Sequence, residues 1–383
     1  MPESTLLVAL TGLLHSAGLN AALWGLCITF SLCVVLAYTQ RWHGAFTSDS
    51  THGIQKFHTA PTPRVGGIPI IIGVIVSWFI ASQDIKNILT PLIFAGMPAF
   101  LSGVIEDLTK KVGVYERLGA TIVSGLLAWW MTGYSLTRVD VWGIDWLLQF
   151  TVVSVFFTAF AIGGVANSIN IIDGFNGLAS STSVFAFIGY ALIAYAEGDQ
   201  NLAAIALILG SCVGGFFWVN WPFGKIFLGD GGSYFIGFSL AWIAVLLIER
   251  NVSVSAFAVL LVCTHPVTEV LFSIFRRKVR KAHPGMPDRL HFHSLVKRRY
   301  VARWFSMLDS NLRNSLTGVF VGLLTMVAVL LAVHVYRSMW LSVLCFMGLA
   351  LGYVAIYARM VRHRWVSPVQ FLLAQSNDVS AMK

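Results

Sequence analysis

Residues 151–178 read TVVSVFFTAFAIGGVANSINIIDGFNGL. An uncharged apolar run centred near Phe157, long enough to cross a bilayer as a helix, leads into Asn167, Asn170 and Asp173 and then a glycine-bracketed turn, Gly174 to Gly177. The three polar side chains step by three, so a continued helix keeps them on one face, within an arc of about 120°. Polar groups at membrane depth are costly, so each is a functional candidate by default. Hydrogen bonding between asparagines of neighbouring helices is an alternative for the first two. It does not account for Asp173 or for the turn behind it.

The same pattern, an apolar span ending in polar residues, recurs along the chain. About eleven spans are expected, centred near Phe30, Ile72, Gly96, Gly125, Phe157, Phe187, Gly210, Leu240, Leu261, Thr325 and Gly348. The third looks weakest, short and holding Pro91 and Pro98. Several links are very short, as at Glu197 to Gln200 and Tyr336 to Ser338, which implies helical hairpins. Composition agrees: 57% of residues are hydrophobic and only 11% charged, against roughly a quarter charged in soluble domains. The expected fold class is therefore all-α and polytopic, one integral membrane domain over residues 1–383. A basic loop is expected at about 274–314 and a tail at about 359–383. Residues Met1 to Leu6 carry no Lys or Arg, so the first span is expected to stay in the mature protein.

The net charge of +9 invites a nucleic-acid reading, but its distribution argues against one. With loops assigned alternately, 22 of the 26 basic residues fall on one side; only Lys86, Arg138, Arg250 and Arg337 fall on the other. The positive-inside rule puts the rich side in the cytoplasm, the N-terminus outside and the C-terminus inside. Cys27, Cys33, Cys212, Cys263 and Cys345 sit in apolar runs without metal-type spacing and read as reduced packing residues. His15, His265 and His334 are isolated and read as satisfied helix histidines.

Four polar clusters share the basic side. His58 to Gly67 is a stiff turn whose amides near Gly66 can cradle an anion, with Arg64 as a phosphate donor. Glu106 and Asp107 are adjacent carboxylates able to bind a hard cation, with Lys110 and Lys111 beyond them for phosphate. The third cluster is Asn167 to Leu178. The fourth, Asn220 to Ser233, sets Asp230 among glycines directly before an apolar span. A basic segment after the ninth span adds Pro287, Asp288, Arg289, His291 and His293. Two nearby histidines are too few for zinc; phosphate binding or acid–base work suits them better.

Taken in order, these motifs resemble the polyprenyl-phosphate N-acetylhexosamine-1-phosphate transferase family, glycosyltransferase family 4, from about His58 to about Leu295. The layout is most similar to the branch that starts O-antigen and common-antigen synthesis. Asn167 to Leu178 matches the family's Asn-x-x-Asn-x-x-Asp-Gly-x-x-Gly-Leu motif, Phe227 to Ser233 its Phe-x-Gly-Asp-x-Gly-Ser motif, and Pro287 to His293 its Pro-Asp-x-x-His-x-His loop. Asn220 and Pro222 are two apart where the family has three, Glu106 replaces a usual aspartate, and Ser294 replaces a histidine common among relatives. The last difference points away from a MurNAc-pentapeptide transferase.

The resemblance implies transfer of a sugar-1-phosphate from a UDP-sugar to polyprenyl (undecaprenyl) phosphate with release of UMP, at a site facing the cytoplasm of a bacterial inner membrane. It implies Mg²⁺, with Mn²⁺ as a substitute, held by Asp230 and Asp107. Glu106, Asp107 and Asp173 are the expected catalytic carboxylates. His58, Arg64, Lys110, Asn167, Asn170, Asn220, Arg289, His291 and His293 are the expected substrate-binding residues. Expected partners are the polyprenyl lipid, the UDP-sugar and the membrane, with a homodimer as an option and no nucleic acid. A secondary transporter or flippase is the competing class. Those tend to show repeated halves and midplane charges, and neither is evident here.

Overall fold

A computed structural model describes residues 12, 18–49, 62–279 and 290–362. Its elements follow in chain order: α1 (Leu19–Tyr38), α2 (Gln40–Thr47), β1 (Ser48–Asp49), β2 (Thr62–Pro63), α3 (Gly67–Ile80), α4 (Gln83–Thr109), α5 (Val114–Thr132), α6 (Ile144–Leu148) and α7 (Thr151–Ile172). Then come α8 (Leu178–Ala196), α9 (Gln200–Asn220), α10 (Gly229–Arg250), α11 (Ala256–Val262), α12 (Thr264–Val279) and α13 (Phe292–Val296). A π turn over Lys297–Val301, α14 (Ala302–Trp304), α15 (Ser310–Val335) and α16 (Met339–Val361) complete the chain. The two strands make one two-residue antiparallel ladder, Ser48 opposite Pro63; among the described residues every other regular element is helical.

Each of the eleven expected span centres falls inside a helix. Among the described residues eight helices are long and apolar enough to cross a bilayer, and α11 with α12, bent by 84°, passes the same test only as a pair, as a broken span or a re-entrant loop. Two expected spans fall short of that standard. Helix α3 has only 14 residues, and α5 carries Glu116 and Arg117 in its first turn. The third segment is not short: α4 runs 27 residues with Pro91 and Pro98 both inside it. Prolines are tolerated in such helices because packed neighbours and local adjustments compensate for the lost hydrogen bond.

Helix α10 is the axis of the bundle, 94% buried against 11% for the peripheral α16. Small residues set its close contacts. A Cβ on Gly237 would lie 2.5 Å from Ala166 Cα of α7, and one on Gly96 of α4 would lie 2.9 Å from the Phe235 ring. Between apolar helices in lipid, such close approach supplies dispersion contacts where no hydrophobic drive exists. The expected basic loop is also more ordered than foreseen. Helix α12 runs to Val279, residues 280–289 lie outside the described residues, and Phe292, His293, Ser294, Leu295 and Lys297 are buried where the chain returns to the bundle. The expected tail beyond residue 362 lies outside the described residues.

Of the isolated histidines, His334 is satisfied through Nδ1 against Leu330 O at 2.7 Å. His265 is not: it is buried at the bend between α11 and α12, and neither ring nitrogen has a hydrogen-bond partner. His15 lies outside the described residues. Cys33, Cys212 and Cys263 are buried, Cys345 is half-buried, Cys27 is exposed, and all five are free thiols.

Candidate active site

Helix α10 begins at Gly229, whose φ of +77° suits glycine. A Cβ there would lie 2.5 Å from Asp107 Oδ2. The backbones of α4 and α10 touch at Gly103 and Gly231, where a Cβ on the former would meet Gly231 N at 2.3 Å. That contact lets Gly231 N–H donate to Asp107 Oδ2 at 3.1 Å and holds Asp107 beside Asp230 in the first turn of α10.

Asp230 is the hub. Arg64 Nη2 donates to its Oδ1 at 2.9 Å and Arg117 Nη1 donates to its Oδ2. Asn170 Nδ2 donates to Asp230 Oδ1 at 3.0 Å and lies 2.9 Å from Ser233 Oγ, while Tyr234 OH donates to Asn170 Oδ1 at 3.4 Å. Arg64 Nη2 is also 3.4 Å from Asp107 Oδ1, which is buried and accepts no hydrogen bond. Asp173 stands just past the end of α7, with ψ at 55° taking it out of the helix. Burial pushes its carboxyl up to about 7, opposed by the Arg64 charge and reinforced by Asp230 and Asp107. Three carboxylates thus share two guanidinium groups.

Chemically, two arginines aimed at one carboxylate form a site that can exchange that carboxylate for phosphate oxygens. Among the described residues no group of three or more His, Cys, Asp or Glu side chains could hold a metal by itself. Two carboxylates, one with a buried oxygen lacking a hydrogen bond, suit a hard cation that takes its remaining ligands from phosphate and water.

The expected residues divide. Arg64, Asp107, Asn170, Asp173 and Asp230 converge on the hub. Asn167 lies one turn back along α7. Glu106 is engaged at the end of its own helix: its Oε2 accepts from Val112 N at 2.8 Å, closing the turn after α4, while its charge still reaches Tyr234. Lys110 caps that helix in the left-handed region, φ 57°, and is exposed. Asn220 clamps two loops, accepting from Gly177 N at 2.6 Å and donating to Ile226 O at 2.8 Å. The Gly66 amide does not form an anion cradle. It donates to Phe227 O at 2.9 Å, and Gly67 N donates to Leu228 O at 3.0 Å. His58 and Arg289 lie outside the described residues.

His293 packs on the Asp173 turn: its Nε2 would lie 3.0 Å from a Cβ on Gly174, and its ring meets Phe175 edge-on at 5.2 Å. His291 stacks on His293 at 5.4 Å. Lys297 donates to Asn314 and sits 5.5 Å over Phe175. Burial, with the Arg313 charge nearby, pulls its amine down to about 8.

The sequence reading missed Arg117, Tyr234 and Glu269. Arg117 was counted only as a topological charge, although a cation in the first turn of an apolar helix is itself a flag. Glu269, a lone carboxylate in the ninth span, carried the same signal. Tyr234 carried none, because one more aromatic in an apolar run has no distinguishing mark.

Comparison with known proteins bears on the family. Residues 89–248 match the model of glycosyl transferase family 4. The chain is 27% identical over 243 residues to a probable undecaprenyl-phosphate N-acetylglucosaminyl 1-phosphate transferase of Bacillus subtilis, covering 62% of this chain and 66% of that protein. It is 27% identical over 287 residues to an undecaprenyl-phosphate alpha-N-acetylglucosaminyl 1-phosphate transferase of Thermotoga maritima, covering 75% and 84%. The protein of that name from Yersinia pestis is 25% identical over 249 residues, covering 64% and 68%. The chain thus spans about two thirds of the Bacillus and Yersinia relatives.

Proposed function

The chain belongs to the polyprenyl-phosphate N-acetylhexosamine-1-phosphate transferase family, and from that premise we propose that it moves an N-acetylhexosamine-1-phosphate from a UDP-sugar to undecaprenyl phosphate, releasing UMP. The observation that carries this reading is Asp230, held by Arg64, Arg117 and Asn170 beside Asp107 at the basic end of the bundle. The relatives' names supply the lipid acceptor and the sugar class. The positive-inside count supports a site facing the cytoplasm of a bacterial inner membrane, with product entering cell-surface polysaccharide synthesis.

Phosphoryl transfer asks a protein mainly for positioning and charge neutralisation. Arg64 and Arg117 meet the pyrophosphate oxygens when these replace Asp230 as their partner. Asp107 and Asp230 would hold Mg²⁺, which supplies Lewis-acid neutralisation of the pyrophosphate and the departing UMP. Asn170 and Asp173 line the donor side, and His293 covers the turn between them and the loop. The lipid phosphate is already anionic near neutral pH, so its attack on the donor phosphorus needs orientation more than a base. Glu106 being engaged at Val112 N and Asp107 held at Gly231 N beside Asp230 support Asp107 as the carboxylate that serves the reaction.

The test is transfer of radiolabelled sugar phosphate to lipid in isolated membranes, with Mg²⁺ and with chelator, for wild type and Asp230→Asn. Transfer that depends on both the metal and Asp230 supports the reading. Transport of label without lipid-linked product would support the transporter class instead.

A further inference from the structure

Glu269 is fully buried in α12, the second half of the broken span, and each of its acceptor contacts leads toward the histidine loop or to the last helix. His291 Nδ1 lies 2.9 Å from its Oε1. Phe292 N–H, at the first residue of α13, donates to its Oε2 at 3.0 Å, and Tyr353 OH of α16 donates to the same oxygen at 2.5 Å. Helix α13 has no cap from its own N-cap side chain, His291, so Glu269 does that work from another element.

An ionised carboxylate only accepts, so His291 must direct its Nδ1–H at Glu269, which leaves Nε2 for other partners. The His291 ring is then stacked on His293, and His293 lies against Gly174, next to Asp173. Three elements therefore share one carboxylate: the bend of the broken span, the histidine loop, and the membrane helix nearest the C-terminus.

We propose that Glu269 is a positioning residue for the transferase site, fixing the tautomer and orientation of His291 and capping α13 so that the histidine pair stays on the Asp173 turn. The proposal rests on the active-site reading above and adds to it a part in turnover for His291, through its stacking on His293. Tyr353 is the second element of the device: its hydroxyl bond to Glu269 links α16 to the loop. Comparable outer partners of histidines elsewhere alter activity by about 10- to 100-fold when removed.

The experiment is a double-mutant cycle on the full-length protein in detergent–lipid micelles, with kcat, KM for the UDP-sugar and melting temperature read together. Glu269→Gln reverses one donor–acceptor pair without changing size. It is expected to lower kcat by about 10- to 100-fold with KM changed little. Glu269→Asp, which keeps the acceptor, is expected to restore part of the lost turnover. In a His291→Ala background, adding Glu269→Gln should cost clearly less than in wild type, because the part of its effect that passes through His291 is already gone. Tyr353→Phe, a milder change suited to the case in which Glu269→Gln melts early, should lose turnover a few-fold in wild type and less in His291→Ala. Losses that multiply in the double variants overturn the proposal while leaving the site reading intact. Full turnover in His291→Ala alone would likewise overturn the proposal, whereas only metal- and Asp230-independent transfer would overturn the site reading.

Discussion

The two ends of the bundle treat charge in opposite ways. At the far end Arg250 and Arg138 meet matched partners that close loops. Arg250 forms a two-point pair with Asp199 at 2.7 and 2.9 Å, and Asp199 also caps α9 through Leu202 N. Arg138 donates to four backbone carbonyls, those of Ile248, Asn251, Val252 and Val254, and pairs with Asp140. Asp140 in turn accepts from Ser255 Oγ and Ala256 N, capping α11 across the chain. At the basic end Asp107, Asp173 and Asp230 crowd around Arg64 and Arg117, and Asp107 Oδ1 lacks a hydrogen bond. Charges that staple a fold are locally complete. Charges awaiting a ligand are not, and the bundle carries their repulsion until the ligand arrives.

The largest effect should come from the hub. Asp230→Asn removes a charge without changing size and is expected to cut turnover by about 10²-fold or more. The matched far-end change, Asp199→Asn, should leave turnover near wild type while lowering the melting temperature. A hub variant that loses only stability, or a far-end variant that loses only turnover, would break the comparison. Next in size, Asp107→Asn should cost more turnover than Glu106→Gln, because the former is held at Gly231 N beside Asp230 and the latter at Val112 N; initial rates at saturating substrate distinguish them. The reverse order would return the principal role to Glu106.

Asp173 sharpens the contrast through pH. Its carboxyl rises in the fold to about 7 from about 3.9 when unfolded, so between those values the native state holds the extra proton. Stability should therefore fall as pH rises from about 4 to about 7. Asp173→Asn, which cannot ionise, should melt a few degrees above wild type at pH 8 and close to it at pH 4.5, while losing turnover. An equal melting temperature at both pH values would show that the carboxylate is not held under repulsion. The smallest effect is expected at Arg337, whose side chain is 65% exposed although paired with Glu197. Arg337→Ala should shift stability by no more than about 0.5 kcal/mol, read as a melting temperature within error of wild type.

Much of this was legible before any coordinates. Hydropathy placed each of its eleven centres inside a helix, eight of them in helices long and apolar enough to cross a bilayer, and the basic-residue count put Arg64, Asp107, Asn170, Asp173 and Asp230 at one end, where they now lie together. Both signals are local: apolar length and loop charge act on each span independently of its neighbours. Pro91 and Pro98 misled for the same reason, since sequence shows a lost backbone donor but not the neighbours that make the loss tolerable.

Residue chemistry and spacing by themselves determined that the chain is helical and membrane-spanning, that its polar clusters share one side, and that Asp230 and Asp173 stand at glycine-bracketed turns. Only the tertiary structure decided which adjacent carboxylate turns inward, Asp107 rather than Glu106, because that depends on the Gly103–Gly231 contact between helices 124 residues apart in their Asp107–Gly231 bond. It alone recruited Arg117 to Asp230, took the Gly66 and Gly67 amides for the Phe227–Leu228 loop, and set Glu269 under His291. Each of those outcomes depends on a distance between elements, and a distance between elements is a property of packing that no local pattern encodes.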